Sequence, residues 1–248
     1  DFEPSASNQA IVQKTFYELL YSDRRLAVAY QDGKRFTLLA RAETLDTAKA
    51  GTPLEGKTVL ITGGGRGLGA LFAKILAERF KPNLILLDII NLDENSAKWA
   101  AMSGENLAAY KTKGLWQELK KKMDKPTPAI LEKEFTAIKD SALLYKSINE
   151  LKAMGSKVTY CKCDLNDCEA FGAVMERIKD EFGRIDGVVH FAGLERSKMV
   201  ADKTVEEFLM IFNTKAASAI NLWKAGIVKD AGFWVMISSI AGKFGNVG

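Results

Sequence analysis

The hydrophobic pattern of the chain consists of short apolar runs that alternate with longer amphipathic segments. Runs that predict buried strands lie at residues 59–62, 84–87, 157–163, 187–190 and 233–237. Segments with apolar residues at helical spacing lie at residues 70–80, 168–182 and 204–225. Strands that alternate with helices favour a parallel sheet covered by helices on both faces. We therefore expect an α/β fold with a Rossmann-like, doubly wound parallel sheet.

Residues 90–150 interrupt this alternation with mostly helical sequence. Apolar residues recur at helical spacing over 129–154, and the segment KPTP at 125–128 breaks the pattern just before it. The pattern therefore predicts a helical insertion. It fits an amphipathic insertion packed beside the sheet or an independent binding module, and we favour the former.

The N-terminal residues 1–50 carry one clear signal. Two apolar runs flank Asp32-Gly33, a pair that is typical of a β-hairpin turn. Residues 11–21 fit either a short helix or a strand. Because an isolated hairpin is only marginally stable in water, we expect this segment to pack on further structure.

A glycine-rich turn joins the first predicted strand of the sheet to its helix. Glycine stands at positions 63, 64, 65, 67 and 69, in the spacing Thr-Gly-x-x-x-Gly-x-Gly. Glycine permits positive φ and lets backbone N–H groups approach a pyrophosphate at the N-terminus of a helix. Structural turns also collect glycine, but the position between a strand and a helix favours nucleotide binding.

The composition argues against several classes of function. Basic residues are interspersed with acidic ones and the net charge is only +4, which gives little support to nucleic-acid binding. No apolar run approaches the length of a membrane span. With three cysteines and a single histidine, a metal site would need carboxylates to complete it, so we expect none. An odd number of clustered thiols is typical of a reducing compartment, and we expect a cytoplasmic protein.

Four motifs occur in order along residues 57–248: TGGGRGLG, CDLND, GVVHFAG and VMISSIAGKFGNVG. Together they resemble the short-chain dehydrogenase/reductase superfamily. More narrowly, they resemble the ketoreductase domains of modular polyketide and polyunsaturated fatty acid synthases. The run HFAG at 190–193 replaces the Asn-Asn-Ala-Gly of free-standing reductases, and Lys215 stands where those enzymes have a catalytic asparagine. The insertion also resembles that of the polyunsaturated fatty acid synthases.

The resemblance implies a cofactor site along the glycine turn and the strand ends. Its residues would be Thr62, Gly63, Gly65, Arg66, Gly67, Leu68, Gly69, Asp88, Asp164, Leu165, His190, Ala192 and Gly193. The resemblance also implies that Ser239 hydrogen-bonds the substrate carbonyl and that Lys215 lowers the pKa of a catalytic tyrosine. From the residues alone, Ser239 could instead cap a strand end, and Lys215 could be an ordinary exposed helical lysine.

The family places its catalytic tyrosine after the serine, at a position that would fall past Gly248. A phenol with a pKa of ~10 needs a cationic neighbour to act near neutral pH, which explains the lysine. We therefore expect residues 51–248 to form a catalytic domain truncated before this tyrosine, and the chain to be inactive as it stands. Residues 1–50 would be the C-terminal remnant of a structural subdomain, with a linker over 44–53.

The activity implied by the resemblance is NADPH-dependent reduction of a β-ketoacyl group. The substrate would arrive on the phosphopantetheine arm of an acyl carrier protein, and the neighbouring synthase domains would be further partners. Two alternatives are a free-standing short-chain dehydrogenase acting on a small alcohol or ketone, and a non-catalytic structural nucleotide-binding domain. Asp88 at a strand end favours NAD(H), whereas Arg66 in the glycine turn favours NADP(H). We favour NADP(H), with NAD(H) as the alternative.

Overall fold

The computed structural model describes residues 1–21, 23, 25, 27–39, 41–44, 54–226 and 229–245, without the side chain of residue 243. The chain divides into two compact units. One comprises Asp1–Thr52 with Ile240–Asn246, and the other Pro53–Ser239 with Val247–Gly248. Most of the predicted linker, from residue 45 to residue 53, lies outside the described residues.

The smaller unit contains a helix and a β-hairpin. Helix α1 spans Asn8–Tyr21, and strands β1 (Val28–Gln31) and β2 (Lys34–Thr37) pair antiparallel. The two residues of the turn, Asp32 and Gly33, have φ values of +49° and +72°. A two-residue turn of this handedness matches the twist of the strands it joins, which is why Asp-Gly predicts it. The hairpin is confirmed, and the ambiguous segment before it is a helix.

The larger unit is built on five parallel strands. They are β3 (Thr58–Thr62), β4 (Asn83–Asp88), β5 (Val158–Lys162), β6 (Gly187–His190) and β7 (Phe233–Met236). Their order across the sheet is β5-β4-β3-β6-β7, and every neighbouring pair is parallel. The chain moves outward from β3 in one direction, then returns to its other side at β6. Ligands of such sheets bind beyond the carboxyl ends of the strands at this switch point.

Helices cover both faces of the sheet. They are α2 (Gly67–Phe80), α7 (Cys168–Phe182) and α9 (Ser218–Lys224). Helix α8 (Val205–Phe212) and a π-helical turn at Asn213–Ala217 lead into α9. Alternate residues of β3 enter different cores, since Leu60 packs with α7 residues and Val59 packs with α2 residues. The predicted doubly wound α/β fold is confirmed.

The predicted helical insertion is also confirmed. It consists of α3 (Ser96–Ala101), α4 (Gly104–Tyr110), a π-helical turn (Lys111–Leu115), α5 (Trp116–Lys122) and α6 (Pro128–Ala153). Thr127 caps α6, because its hydroxyl accepts a hydrogen bond from Ile130 N at 3.3 Å and Pro128 occupies the first turn. Leu144 and Ile148 of α6 pack with Val158 and Tyr160 of β5. The insertion therefore lies beside the sheet.

The last helix among the described residues, α10 (Ala241–Phe244), belongs to the smaller unit. Among the helices of the described residues, none combines the length and the apolar composition that a membrane crossing requires.

Candidate active site

The glycine turn between β3 and α2 depends on glycine for two separate reasons. Gly67 has a φ of +57°, a backbone conformation that residues with a β-carbon rarely adopt. At Gly69, a β-carbon would lie 2.1 Å from the carbonyl oxygen of Gly63. The turn can therefore fold back closely on itself only with these residues. At Gly67, a β-carbon would meet no other atom within 4 Å, so this side of the turn is open.

A cavity of about 290 Å³ lies along this turn, at the carboxyl ends of the strands. Of the residues that the sequence predicts to bind a cofactor, nine line it: Gly63, Arg66, Leu68, Gly69, Asp88, Asp164, Leu165, Ala192 and Gly193. The other four predicted cofactor residues and the two predicted catalytic residues are not among its lining residues in the described part of the chain: Thr62, Gly65, Gly67 and His190, and Lys215 and Ser239. Residues that the sequence reasoning missed complete the wall: Leu87, Ile89, Cys163, Asn166, Phe191, Leu194, Thr214 and Ile237.

Asp88 ties the glycine turn to the end of β4. Its Oδ2 accepts a hydrogen bond from Gly65 N at 2.9 Å, and its Oδ1 accepts one from Ile89 N at 2.8 Å. Both carboxylate oxygens therefore have a backbone N–H donor. Gly65 takes part in the site through this bond rather than by lining the cavity.

Arg66 lies on the rim of the cavity and extends toward the insertion. Its Nη1 is 2.5 Å from Oδ2 of Asp140 on α6. The arginine side chain is 47% exposed and the aspartate side chain is 22% exposed. The cation that the sequence assigns to a cofactor phosphate is therefore already paired with a carboxylate of the insertion.

Thr62 and His190 lie behind the cavity wall, fully buried. His190 Nε2 is 3.0 Å from the carbonyl oxygen of Lys215, which can only accept, so Nε2 carries the proton. Nδ1 then accepts from the hydroxyl of Thr62 at 2.7 Å, and that hydroxyl accepts from Ala192 N at 3.3 Å. Burial lowers the pKa of His190 below its ordinary value, which keeps the ring neutral near pH 7. In this position, His190 holds the backbone around the cavity.

Lys215 lies in the π-helical turn Asn213–Ala217 and points toward the end of β6. Its Nζ donates to the carbonyl oxygen of Ala192 at 3.1 Å, and its aliphatic chain passes close to Gly193. Burial lowers the pKa of Lys215. The lysine is thus half-buried beside two residues of the cavity wall. It is not a freely solvated helical lysine.

Ser239 follows β7 and is exposed. Ile237, which lines the cavity, precedes it, and its backbone N–H donates to the carbonyl oxygen of His190 at 3.1 Å. The segment that carries the serine is therefore fixed to the end of β6.

Amide side chains hold the part of the cavity wall that follows β5. Asp164 Oδ1 accepts from Asn166 N at 2.9 Å, and Asn166 Nδ2 donates to Thr214 Oγ1 at 3.3 Å. Asn221 Nδ2 donates to the carbonyl oxygen of Leu165 at 2.9 Å. Asn166 directly follows the Asp-Leu pair, so it was open to sequence reasoning. Asn221 has no comparable local signal.

The three cysteines differ in their burial. Cys161 and Cys163 are buried and Cys168 is exposed. Burial raises the pKa of Cys163 to about 11, so this thiol stays protonated in the cavity wall. Among the described residues, no group of three or more His, Cys, Asp or Glu side chains is arranged to hold a metal ion.

Comparisons with known proteins point to ketoreductase domains of multidomain synthases. Residues 134–248 match the family model of the KR domain. The chain is 31% identical over 238 residues to polyketide synthase PksM of Bacillus subtilis, and 28% identical over 197 residues to a polyunsaturated fatty acid synthase of a Thraustochytrium species. These alignments cover 95% and 77% of the chain, respectively. The chain spans only 4% and 7% of the length of these two relatives.

Solved structures support the same fold. The A-type ketoreductases from a modular polyketide synthase match all of the chain and 43% of their own, with a TM-score of 0.69 at 22% identity. A ketoreductase domain from the bacillaene assembly line matches 96% of the chain and 45% of its own, with a TM-score of 0.62 at 21% identity. The chain therefore has a short-chain dehydrogenase/reductase-like fold, and it resembles the ketoreductase domains of polyketide and polyunsaturated fatty acid synthases.

Proposed function

We propose that this chain is the nucleotide-binding part of a ketoreductase domain in a multidomain polyketide or polyunsaturated fatty acid synthase. The proposed reaction is NADPH-dependent reduction of a β-ketoacyl group carried by an acyl carrier protein. The observation that carries the proposal is the cavity at the switch point of the sheet. It brings the glycine turn, Asp164-Leu165 and Ala192-Gly193 together, with the ammonium of Lys215 held against Ala192.

The residues present fit a dinucleotide. The open space beyond Gly67 would receive the pyrophosphate, where backbone N–H groups of the turn and the N-terminus of α2 favour an anion. Asp164 and Leu165 would hold the adenine, and Ala192 and Gly193 would border the nicotinamide ribose. The bound nicotinamide would supply the hydride.

Three side chains of the larger unit would serve the carbonyl. Ser239 would donate a hydrogen bond to the substrate oxygen. Lys215, already partly desolvated, would stabilise the anionic form of a proton-donating phenol and so bring it into the range of general acid catalysis. His190 would position Lys215 through its backbone carbonyl.

The preference for NADPH rests on Arg66. This arginine lines the cavity rim close to the end of β4, where the 2′ substituent of the adenosine ribose would lie. Asp88 lies at the same place, but both of its carboxylate oxygens already accept backbone N–H groups. This arrangement favours a structural role for Asp88 over recognition of the ribose hydroxyls.

The binding step is tested by Gly67→Val. The new side chain would occupy the space assigned to the pyrophosphate, and we expect dinucleotide binding to be lost while the fold is kept. Gly183→Val is the matched control, because Gly183 also has positive φ (+66°) and a β-carbon there also meets open space, but at the end of α7. Equal dinucleotide affinity in calorimetry for Gly67→Val and Gly183→Val, with normal circular dichroism, would contradict the assignment.

The reaction itself is tested by turnover. A polypeptide that carries this chain together with the rest of its synthase module should oxidise NADPH in the presence of a β-ketoacyl thioester, and faster when the acyl group is on a carrier protein. Dinucleotide binding without any ketone reduction would favour the non-catalytic alternative. Reduction of small ketones with no gain from the carrier protein would favour a free-standing dehydrogenase.

A further inference from the structure

Helix α6 of the insertion places a carboxylate against an arginine that lines the cavity. Asp140 Oδ2 lies 2.5 Å from Nη1 of Arg66, although the two residues are 74 positions apart in the chain. Asp140 is not itself a lining residue in the described part of the chain, whereas Arg66 is. The contact therefore couples a residue outside the cavity to the proposed determinant of NADPH preference within it.

We propose that Asp140 is a positioning residue that sets the preference between NADPH and NADH by competing with the 2′-phosphate for Arg66. This inference rests on the proposed dinucleotide site. A guanidinium has five N–H donors in a planar fork, and a phosphate is bound most strongly by two parallel N–H bonds. Asp140 occupies one side of that fork. A 2′-phosphate must share the guanidinium with the Asp140 carboxylate or displace that carboxylate. The uncharged 2′-hydroxyl of NADH does not need to bind the guanidinium.

The charge of Asp140 and its hydrogen bond can be separated by experiment. In Asp140→Asn, the amide oxygen can still accept from Arg66, so the arginine keeps its orientation while the competing negative charge is removed. Because Arg66 is about half exposed, water and salt screen the pair, and the expected effect is moderate. We expect NADPH to bind about two- to tenfold more tightly, and NADH to change by less than about twofold.

A second ion pair of α6 provides a matched control. Lys74 of α2 and Glu150 of α6 form an ion pair at 3.4 Å, which links the insertion to α2, whereas Arg66–Asp140 links it to the residue just before α2. Lys74 does not line the cavity among the described residues. Glu150→Gln therefore removes one negative charge from α6 with no partner at the proposed site, and it should leave both affinities unchanged.

The experiment is a titration of the 248-residue chain with NADPH and with NADH to millimolar concentrations, followed by the fluorescence of the bound reduced nicotinamide. It compares wild type, Asp140→Asn, Glu150→Gln, Arg66→Gln and the double variant Arg66→Gln/Asp140→Asn. Circular dichroism confirms that each variant is folded. The expected result is a selective gain for NADPH in Asp140→Asn that disappears when Arg66 is absent and shrinks at high salt.

Three results would overturn the inference while leaving the dinucleotide site in place. They are an unchanged ratio of affinities in Asp140→Asn, an equal gain in Glu150→Gln, and a gain that persists without Arg66. Failure of every variant to bind either dinucleotide would overturn both the inference and the proposed function. The selective gain without ketone reduction by a complete module would support the inference and overturn the proposed reaction.

Discussion

The buried hydrogen bonds of Thr62 permit a sharp test of how the cavity wall is held. Thr62 has no exposed surface, and its hydroxyl donates to His190 Nδ1 at 2.7 Å while accepting from Ala192 N at 3.3 Å. Thr62→Val keeps the shape of the side chain and removes both bonds. It leaves a fully buried ring nitrogen and a half-buried backbone N–H without this partner.

The magnitude follows from the burial of each group. A buried polar group that loses its partner costs about 1–3 kcal/mol, and the ring nitrogen of His190 should bear the full penalty. Ala192 is only half-buried and its bond is longer, so water can replace part of that loss. We expect Thr62→Val to lower the free energy of unfolding by about 2–4 kcal/mol.

The assay is urea denaturation followed by circular dichroism, with the free energy taken from the linear extrapolation. Thr58→Val is the control, because Thr58 is a second buried threonine of β3 whose hydroxyl takes no part in these bonds. It should cost less than about 1 kcal/mol. If the two variants lose the same stability, the hydroxyl of Thr62 contributes nothing specific, and the argument for His190 as a positioning residue is wrong.

Three further predictions follow from the same geometry. Burial depresses the pKa of His190, so only the unfolded state gains a proton at this residue as the pH falls below about 6.5. The free energy of unfolding should therefore decrease below this pH. His190→Gln should remove this contribution to the pH dependence, as measured by urea titrations at several pH values. Gly69→Ala should lower the free energy of unfolding by at least about 2 kcal/mol, because its β-carbon would meet Gly63 O. Gly172→Ala is the control: it lies inside α7, where a β-carbon meets open space, and should stabilise the protein slightly. Equal shifts in melting temperature for the two variants would refute this prediction. No tyrosine lines the cavity in the described part of the chain, so the 248-residue chain should reduce ketones ~10²–10⁴-fold more slowly than a complete module; comparable NADPH oxidation would show that another group supplies the proton.

Local signals account for the elements that sequence reasoning placed correctly. The helical spacing over 168–182 predicts α7 with its observed bounds, and the structure shows that Asp167 caps its first turn and that Gly183 ends it with a φ of +66°. Strand β6 was equally well defined by a short apolar run. Each of these signals lies within the element itself or next to it, so no knowledge of tertiary contacts was needed.

Breaks inside helical segments were harder to predict. Residues 204–225 were predicted as one helix, but a π-helical turn at Asn213–Ala217 divides it, and nothing in the local sequence marks the change. Within the insertion, α3 and α4 are separated at Ser103, whose hydroxyl caps α4 by accepting from Asn106 N at 3.2 Å. The mostly helical pattern over 90–150 does not place this break, although the Ser-Gly pair is a local signal for it.

In the candidate active site too, contacts between distant segments could not be predicted from local sequence. Gly63, Asp164 and Gly193 could be placed in the cavity from motifs because each directly follows or closely trails a predicted strand. The pairing of Arg66 with Asp140 joins residues 74 positions apart, through a helix whose orientation no local pattern specifies. A sequence therefore indicates which residues reach the strand ends, but not which charges meet there.

The replacement of asparagine by His190, a family marker in the sequence, gains a physical meaning from the structure. The hydrogen bonds around it close a ring: Thr62 binds one ring nitrogen, the Lys215 carbonyl binds the other, the Lys215 ammonium binds the Ala192 carbonyl, and Ala192 N–H returns to Thr62. Because an imidazole presents its two nitrogens in different directions, one side chain joins the end of β3 to the π-helical turn. The ammonium of Lys215 is thereby located by the same bonds that shape the cavity wall. This supports the proposal that Lys215 serves the reaction, since a merely solvated lysine would need neither burial nor a fixed partner.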